Sequence, residues 1–263
     1  MNKPKIHFAD KYLMQPTNPI SVNLIGAGGT GSQVLTALAR INHSLNALQH
    51  AGLSVRVFDN DIVTEANRGR QLFTTAELGL NKGVALINRI NRFFGTNWKA
   101  IPSKFENDTL ANYPHYRANI TISCVDNVDA RFEIADVLSR LENGIDLNKA
   151  LYWMDFGNSR YTGQVVLSTI HPIKQPTSKK YQPVDTMPFV TDEFKTLLQQ
   201  ADKDDTPSCS LAEALTKQDL FINSSLADLG ASLLWQLFRE GMTENRGFFH
   251  NIKEFRTQPL KVA

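Results

Sequence analysis

Apolar and polar positions along this chain keep two rhythms in turn. PISVNLIGAGGTGSQVLTALARI begins with alternate residues apolar, Ile20, Val22 and Leu24. It then turns through glycines and resumes with apolar residues at helical spacing, Val34, Leu35, Leu38 and Ile41. That predicts a strand, a turn and a helix. SVRVFD, ending at Asp59, gives a second strand, and TTAELGLNKGVALINRINRFFG a helix with Leu78, Val84, Leu86, Ile87 and Ile90 on its apolar side. WKAIPSKF is a third strand candidate and NITISCVD a buried strand rich in β-branched residues. VDARFEIADVLSRL reads as an amphipathic helix, followed by the strands LYWMDFGN and YTGQVVLST. Strands alternating with helices over the first 150 residues predict an α/β fold, a doubly wound, mostly parallel Rossmann-like sheet.

Beyond this core, 18–170, the rhythm changes. HPIKQPTSKKYQPVDTMPFVTDEFKTLLQQADKDDTPS, about 170–208, is rich in Pro, Thr, Lys and Asp and predicts a long crossover loop. The remainder, 209–263, forms a C-terminal extension, with SLADLGASLLWQLFREG as an apolar helix and NRGFFHNIKEFRTQPLKV as strands. There is no internal repeat, and the expectation is a single domain over 1–263.

Composition narrows the classes of function. With 42% apolar and 21% charged residues and a net charge of +2, no global field argues for nucleic acid or an anionic membrane. No apolar run approaches the roughly 20 residues of a membrane span, and MNKPKIHFADKY lacks the apolar region of a signal peptide. A cytoplasmic location is expected. Cys124 and Cys209 cannot supply the paired CxxC motifs of a four-thiolate zinc site, so no zinc is expected and any metal should be a hard ion held by carboxylates and phosphate. The six histidines are scattered, none at HxxxH spacing, and read as surface or core residues.

The chemistry gathers at strand ends. In LIGAGGTGS, the pattern GxGxxG falls on Gly26, Gly28 and Gly31, with Gly29 between them, after a strand and opening a helix. Glycines there permit close backbone approach to a phosphate, and the helix N-terminus offers N–H groups and partial positive charge. Asp59 ends the next strand, where a carboxylate can accept from ribose hydroxyls. It lies 33 residues after Gly26, an excess that NHSLNALQHAGL absorbs as helix and loop. A nicotinamide enzyme would account for the motif as far as Asp59 but not for the polar residues beyond it: Asn67, Arg70, Gln71, Lys82, then Asp126 and Arg131 in CVDNVDAR. Cations at successive strand ends suit a triphosphate, and a carboxylate among them suits Mg²⁺.

GAGGTG, DNDIV, NRGRQ, GLNK and CVDNVDAR, in that order, resemble the ThiF/MoeB/HesA family of ubiquitin-activating-enzyme-like proteins, over about 18–170. The resemblance implies ATP- and Mg²⁺-dependent adenylation of the C-terminal carboxylate of a ubiquitin-like or sulfur-carrier protein, commonly by a dimer. By motif, Gly28 and its neighbours would lie under ATP, Asp59 on the ribose, Asn67, Arg70 and Lys82 on the phosphates, and Asp126 on Mg²⁺. The long spacing to Asp59 and the missing zinc cysteines most resemble the plasmid-borne PRTRC-system subgroup. The family's arginine ahead of the first strand is absent, since the first arginine is Arg40, and Lys3, Lys5 or Lys11 would have to substitute.

Individual residues carry competing readings. Lys82 is a phosphate ligand or a solvated surface lysine, and Asp126 a metal ligand or a helix N-cap. Asp61 and Asp129 read as structural groups or as supports behind the site, and Arg68 and Arg131 either pair with these acids or touch the nucleotide. Cys124 reads as a small buried hydrophobe. Cys209, before the helix pattern in TPSCSLAEAL, is an acceptor for the activated carrier or an incidental loop cysteine. Rival readings of the whole are a non-catalytic nucleotide-binding partner of the same fold and, less well supported, a nicotinamide-dependent oxidoreductase.

Overall fold

The computed structural model describes residues 3–68, 71–142, 144, 149–201 and 218–263. In chain order the elements are β1 (Lys5–Phe8), α1 (Lys11–Met14), β2 (Ile20–Ile25), α2 (Gly29–Ala47), β3 (Leu53–Phe58), α3 (Lys82–Phe94), β4 (Lys99–Ile101), α4 (Asn107–Asn112), β5 (Ile120–Ser123) and α5 (Val128–Ser139). There follow β6 (Tyr152–Asn158), β7 (Thr162–Thr169), β8 (Gln182–Pro183), α6 (Val190–Glu193), α7 (Lys195–Ala201), α8 (Ile222–Glu240), β9 (Met242–Thr243), β10 (Asn245–Asn251) and β11 (Arg256–Lys261).

The eight-stranded sheet has the order β11-β10-β7-β6-β5-β2-β3-β4. Strands β4, β3, β2, β5 and β6 are parallel, and β7, β10 and β11 continue antiparallel. The doubly wound, mostly parallel sheet expected from the alternating pattern is therefore present. The central strands are buried on both faces. Ile20, Val22, Leu24, Val55 and Val57 join one core with α2, α3 and α8, while Ile25, Phe58, Trp153 and Val166 join a second with α5, Val190 and Leu198. After β2, the chain moves outward through β3 to β4, then returns to place β5 on the other side of β2. Neighbouring strands β2 and β5 thus mark the point where the winding reverses, the place where open α/β sheets hold ligands at their C-terminal edge.

Several boundaries differ from the expected ones. The apolar pattern from Thr74 is not one helix: Thr75–Glu77 is a separate 3-10 turn, and α3 starts only at Lys82. Gly79, at φ +81°, breaks the path, and the Asn81 side chain accepts from Val84 N–H at 3.0 Å to start the new helix. The segment 54–59 loses Asp59 from its strand, and only Lys99–Ile101 of WKAIPSKF is extended. Strand β1, which the pattern does not predict, pairs with β8 and β9 in a small separate sheet. The crossover region is less irregular than its composition suggests, since it carries β8, α6 and α7 within its described part. Helix α8 sends Leu226, Ala227, Leu233, Leu234 and Leu237 into the chain's own core, which accounts for its apolar surface. None of the helices among the described residues is long and apolar enough to cross a membrane.

Candidate functional site

The glycine turn follows β2 directly, and its glycines serve different needs. Gly26 sits at φ +92°, and a Cβ there would lie 2.7 Å from the Cys124 carbonyl oxygen; a Cβ on Gly31 would meet the Gly26 carbonyl. These two let the backbone cross itself between β2 and β5. A Cβ on Gly29 would come within 2.6 Å of Asn223 Nδ2, so this glycine makes room for α8. Gly28 is different: among the described residues its nearest neighbour is Gln71 Nε2 at 4.0 Å, and they leave open space above the turn. The first bond of α2 runs from Ser32 N–H to Gly28 C=O, so the amides of Gly29, Thr30 and Gly31 have no acceptor within the helix. Three donors without an acceptor among the described residues and the positive end of a 19-residue helix make an anion cradle.

Two side chains frame this cradle. Asp59, just past β3, accepts from Ala27 N–H at 2.6 Å and from Asp61 N–H at 2.8 Å, leaving capacity on both carboxylate oxygens. Burial pushes its carboxyl above the usual range, against the pull of those two bonds and of Lys82. Gln71 is buried beside Gly28, and its Oε1 has no hydrogen-bond partner among the described residues. A buried orphan oxygen is costly and asks for a donor the chain does not supply.

Lys82 opens α3 and is neither solvated nor free. It is 7% exposed, and its Nζ donates to Asp61 Oδ2 at 2.9 Å. Asn81 Nδ2 ties α3 to the same turn through the carbonyls of Asp59 (2.8 Å) and Asp61 (3.1 Å). The surface-lysine reading is therefore corrected, and Asp61 becomes the lysine's counter-ion. Asn67 spends its Oδ1 on Thr64, accepting from the backbone N–H at 2.9 Å and the hydroxyl at 3.0 Å, so only its amide nitrogen is left for a ligand. Arg70 and Cys209 lie outside the described residues.

Asp126 follows β5, with its carboxylate exposed. The capping alternative is corrected: the N-cap of α5 is Asn127, whose side chain accepts from Ala130 N–H at 2.7 Å. Among the described residues, no three His, Cys, Asp or Glu side chains gather into a metal cage. A cation here would be met by Asp126 together with phosphate oxygens and water, which is how Mg²⁺ is commonly held beside nucleotides. The donor set fits that ion.

The arginine pairings also differ from expectation. Arg68 donates to Glu65 at 2.8 Å and Arg131 pairs with Asp155 at 3.2 Å, rather than either meeting Asp61 or Asp129. Asp155, Ser123 and Trp153 lie on the strands β5 and β6, where apolar runs conceal polar members; sequence reasoning missed them, and only the buried acid within LYWMDFGN could have signalled the site. Asn223 and Asn158 were missed as well. The Thr30 hydroxyl donates to Asn223 Oδ1 at 2.8 Å, bringing the start of α8 against the glycine turn across 193 positions of sequence. Cys124 stands one residue past β5 and keeps its apolar role, with burial and nearby Asp155 holding its thiol well above the usual range. Lys3 precedes β1, Lys5 opens it and Lys11 opens α1; His7 and Asp10 of the same segment meet Tyr152 at the N-terminal end of β6, the opposite end of the sheet from the glycine turn.

The fold is similar to that of E. coli MccB solved with ATP, at a TM-score of 0.56 and 15% identity, covering 95% of this chain and 64% of that one. PaaA superposes with a TM-score of 0.58 at 15% identity, covering 92% and 64%. MccB with AMPCPP and MccA gives 0.55 at 15%, covering 92% and 63%. The chain thus spans a little under two thirds of the length of these structures. A comparison of the sequence with curated proteins finds none that matches. The ThiF family model matches residues 5–262, nearly the whole described fold and every motif of the glycine edge, and the chain belongs to the ThiF family.

Proposed function

We propose that this protein uses ATP and Mg²⁺ to adenylate a carboxylate at the C-terminus of a small carrier protein or peptide. The observation that carries the reading is the open ground above Gly28, where unused helix amides, the Asp59 carboxylate and the orphaned Gln71 oxygen converge at the β2/β5 reversal. Asp59 would accept from the ribose hydroxyls, and the α2 amides would hold phosphate. Lys82, Asn67 and Arg70 would meet the remaining phosphate charge, and Asp126 would hold Mg²⁺, which supplies charge neutralisation on the phosphates. The incoming carboxylate attacks the α-phosphorus and pyrophosphate leaves. No general base is required, because the nucleophile is already an anion.

MccB, similar in fold, has been solved with ATP and with MccA. That supports a nucleotide and a peptide-like substrate as the pair to test. A ubiquitin-like or sulfur-carrier protein is the substrate proposed here, with a homodimer as the working assembly and the PRTRC-system subgroup as the narrower affiliation. The Cys209 thiolate would attack the acyl carbon of the adenylate, forming a thioester as the bond to phosphate breaks and AMP leaves. Its replacement by alanine should leave carrier-dependent pyrophosphate exchange intact and remove any reductant-sensitive conjugate from a non-reducing gel; a conjugate that persists would exclude this cysteine.

Calorimetry tests the nucleotide reading. Mg·ATP should bind and NAD should not. Binding of NAD without binding of ATP would return the glycine turn to the oxidoreductase class.

A further inference from the structure

Arg131 lies in the second turn of α5 and is 5% exposed. Its Nε donates to both oxygens of Asp155, at 3.2 Å each. Its Nη2 donates to the carbonyls of Val125 at 2.7 Å and Phe156 at 3.0 Å, and its Nη1 to the carbonyl of Asn127 at 3.4 Å. Val125 and Asn127 are the residues on either side of Asp126. One guanidinium therefore holds the peptide group that leads into Asp126, through the Val125 carbonyl, and reaches the carbonyl of Asn127 just beyond it. The chain is shaped to admit it: a Cβ on Gly157 would come within 2.9 Å of Nη2. Asp155 is itself fixed, accepting from the Ser123 hydroxyl at 2.6 Å, and that hydroxyl accepts from Trp153 Nε1 at 2.7 Å.

A buried ion pair adds little to stability, since desolvation offsets much of its attraction. What this pair provides is direction. A planar fork reaches acceptors on both sides of a loop at once, which a lysine or an apolar pair does not. Asp126 makes no side-chain hydrogen bond among the described residues, so the backbone that carries it is what fixes the place and direction from which its carboxylate reaches out. We propose that Arg131, locked by Asp155, is the positioning residue that aims Asp126 at a divalent cation on the bound nucleotide. The proposal rests on the adenylation reading above.

The test measures nucleotide affinity by calorimetry, once with Mg·ATP and once with ATP in EDTA, for wild type, Arg131→Lys, Asp126→Asn and the double variant. Residues that orient metal ligands commonly contribute about tenfold or more in metal affinity. Arg131→Lys should weaken Mg·ATP binding about tenfold and leave metal-free ATP binding unchanged. The double variant should bind Mg·ATP no worse than Asp126→Asn alone, because the arginine has nothing left to aim. Equal losses with and without metal, a full further loss on top of Asp126→Asn, or no loss at all would each overturn the proposal.

Should Arg131→Lys fail to fold, Ser123→Ala keeps the ion pair and removes the 2.6 Å bond to Asp155 together with the 2.7 Å bond that the hydroxyl accepts from Trp153. A smaller loss confined to Mg·ATP supports the proposal, and unchanged Mg·ATP affinity in that variant overturns it. Wild type that binds no nucleotide removes the adenylation reading and the proposal with it. Wild type that binds Mg·ATP while the variants fail to discriminate removes the proposal alone.

Discussion

Gln71 shows how a single residue can be held against stability. Its buried, unpartnered oxygen beside Gly28 costs about 1–3 kcal/mol relative to a satisfied or apolar side chain. Gln71→Met, close in volume, should therefore unfold at the same or higher denaturant concentration than wild type while binding Mg·ATP more weakly. A variant that loses stability and keeps its affinity would make Gln71 a core residue. The sequence named this residue through its place in NRGRQ, but the orphaned oxygen is a fact of packing and has no signature in a single chain. Lys82 was legible in the same limited way: its position in GLNK was clear, its pairing with Asp61 was not, because the two meet only when α3 folds back on the strand end. His7, read as a surface or core residue, is fully buried. Its Nδ1–H donates to the Val184 carbonyl at 2.7 Å, and its Nε2 accepts from the Tyr152 hydroxyl at 2.9 Å, with Asp185 nearby. Burial holds its pKa below the usual 6.5, with only partial opposition from Val184 and Asp185. The unfolded chain thus takes up the proton first: stability is full above about pH 6.5 and falls as pH drops below it toward the folded value. The slope contributed is at most about 1.4 kcal/mol per pH unit. His7→Gln should flatten the difference in urea unfolding between pH 7.5 and 5.5, about one unit either side of the imidazole's ordinary value; an unchanged difference would move the effect to another group.

At the scale of elements, the most instructive error is the helix drawn through Thr74 to Gly95. The apolar spacing was real, but Gly79 and the Asn81 cap divide it, and the division brings Lys82 to the first turn of α3 beside the Asp59 strand end. Asn81 acts twice, capping the helix and tying it to the 59–61 turn. Asn81→Ala should cost about 1–2 kcal/mol in denaturant unfolding. Asn81→Ser, which retains a capping oxygen, should recover most of that; a loss as large as in Asn81→Ala would assign the stabilisation to the tie instead of the cap. Strand β1 was missed because four residues with a single exposed-to-buried change carry no periodicity. Its partners, β8 and β9, lie far along the chain. The extra residues between Gly31 and Asp59 were foreseen as helix and loop, and α2 does run to Ala47 before a turn leads into β3.

For the whole molecule, the parallel core was legible because each strand is a compact apolar run and each helix has a separate rhythm. The order of strands was not, since nothing local states that β5 returns to the far side of β2. That reversal is what draws the glycine turn, Asp59 and Asp126 to one edge, and it makes their order in sequence a site in space. The antiparallel extension β7-β10-β11 and helix α8 add a second layer of dependence: Asn223 reaches the start of α2, so the C-terminal third helps to hold the glycine turn. The central claim is that this edge activates a carboxylate with ATP, and exchange of labelled pyrophosphate into ATP measures that step alone. With β-grasp carrier proteins ending in a free glycine carboxylate, exchange is expected, and it should vanish when the same carriers are C-terminally amidated or when Asp126 is replaced by alanine. Absence of exchange with every free carboxylate carrier, or exchange indifferent to amidation, would contradict the account.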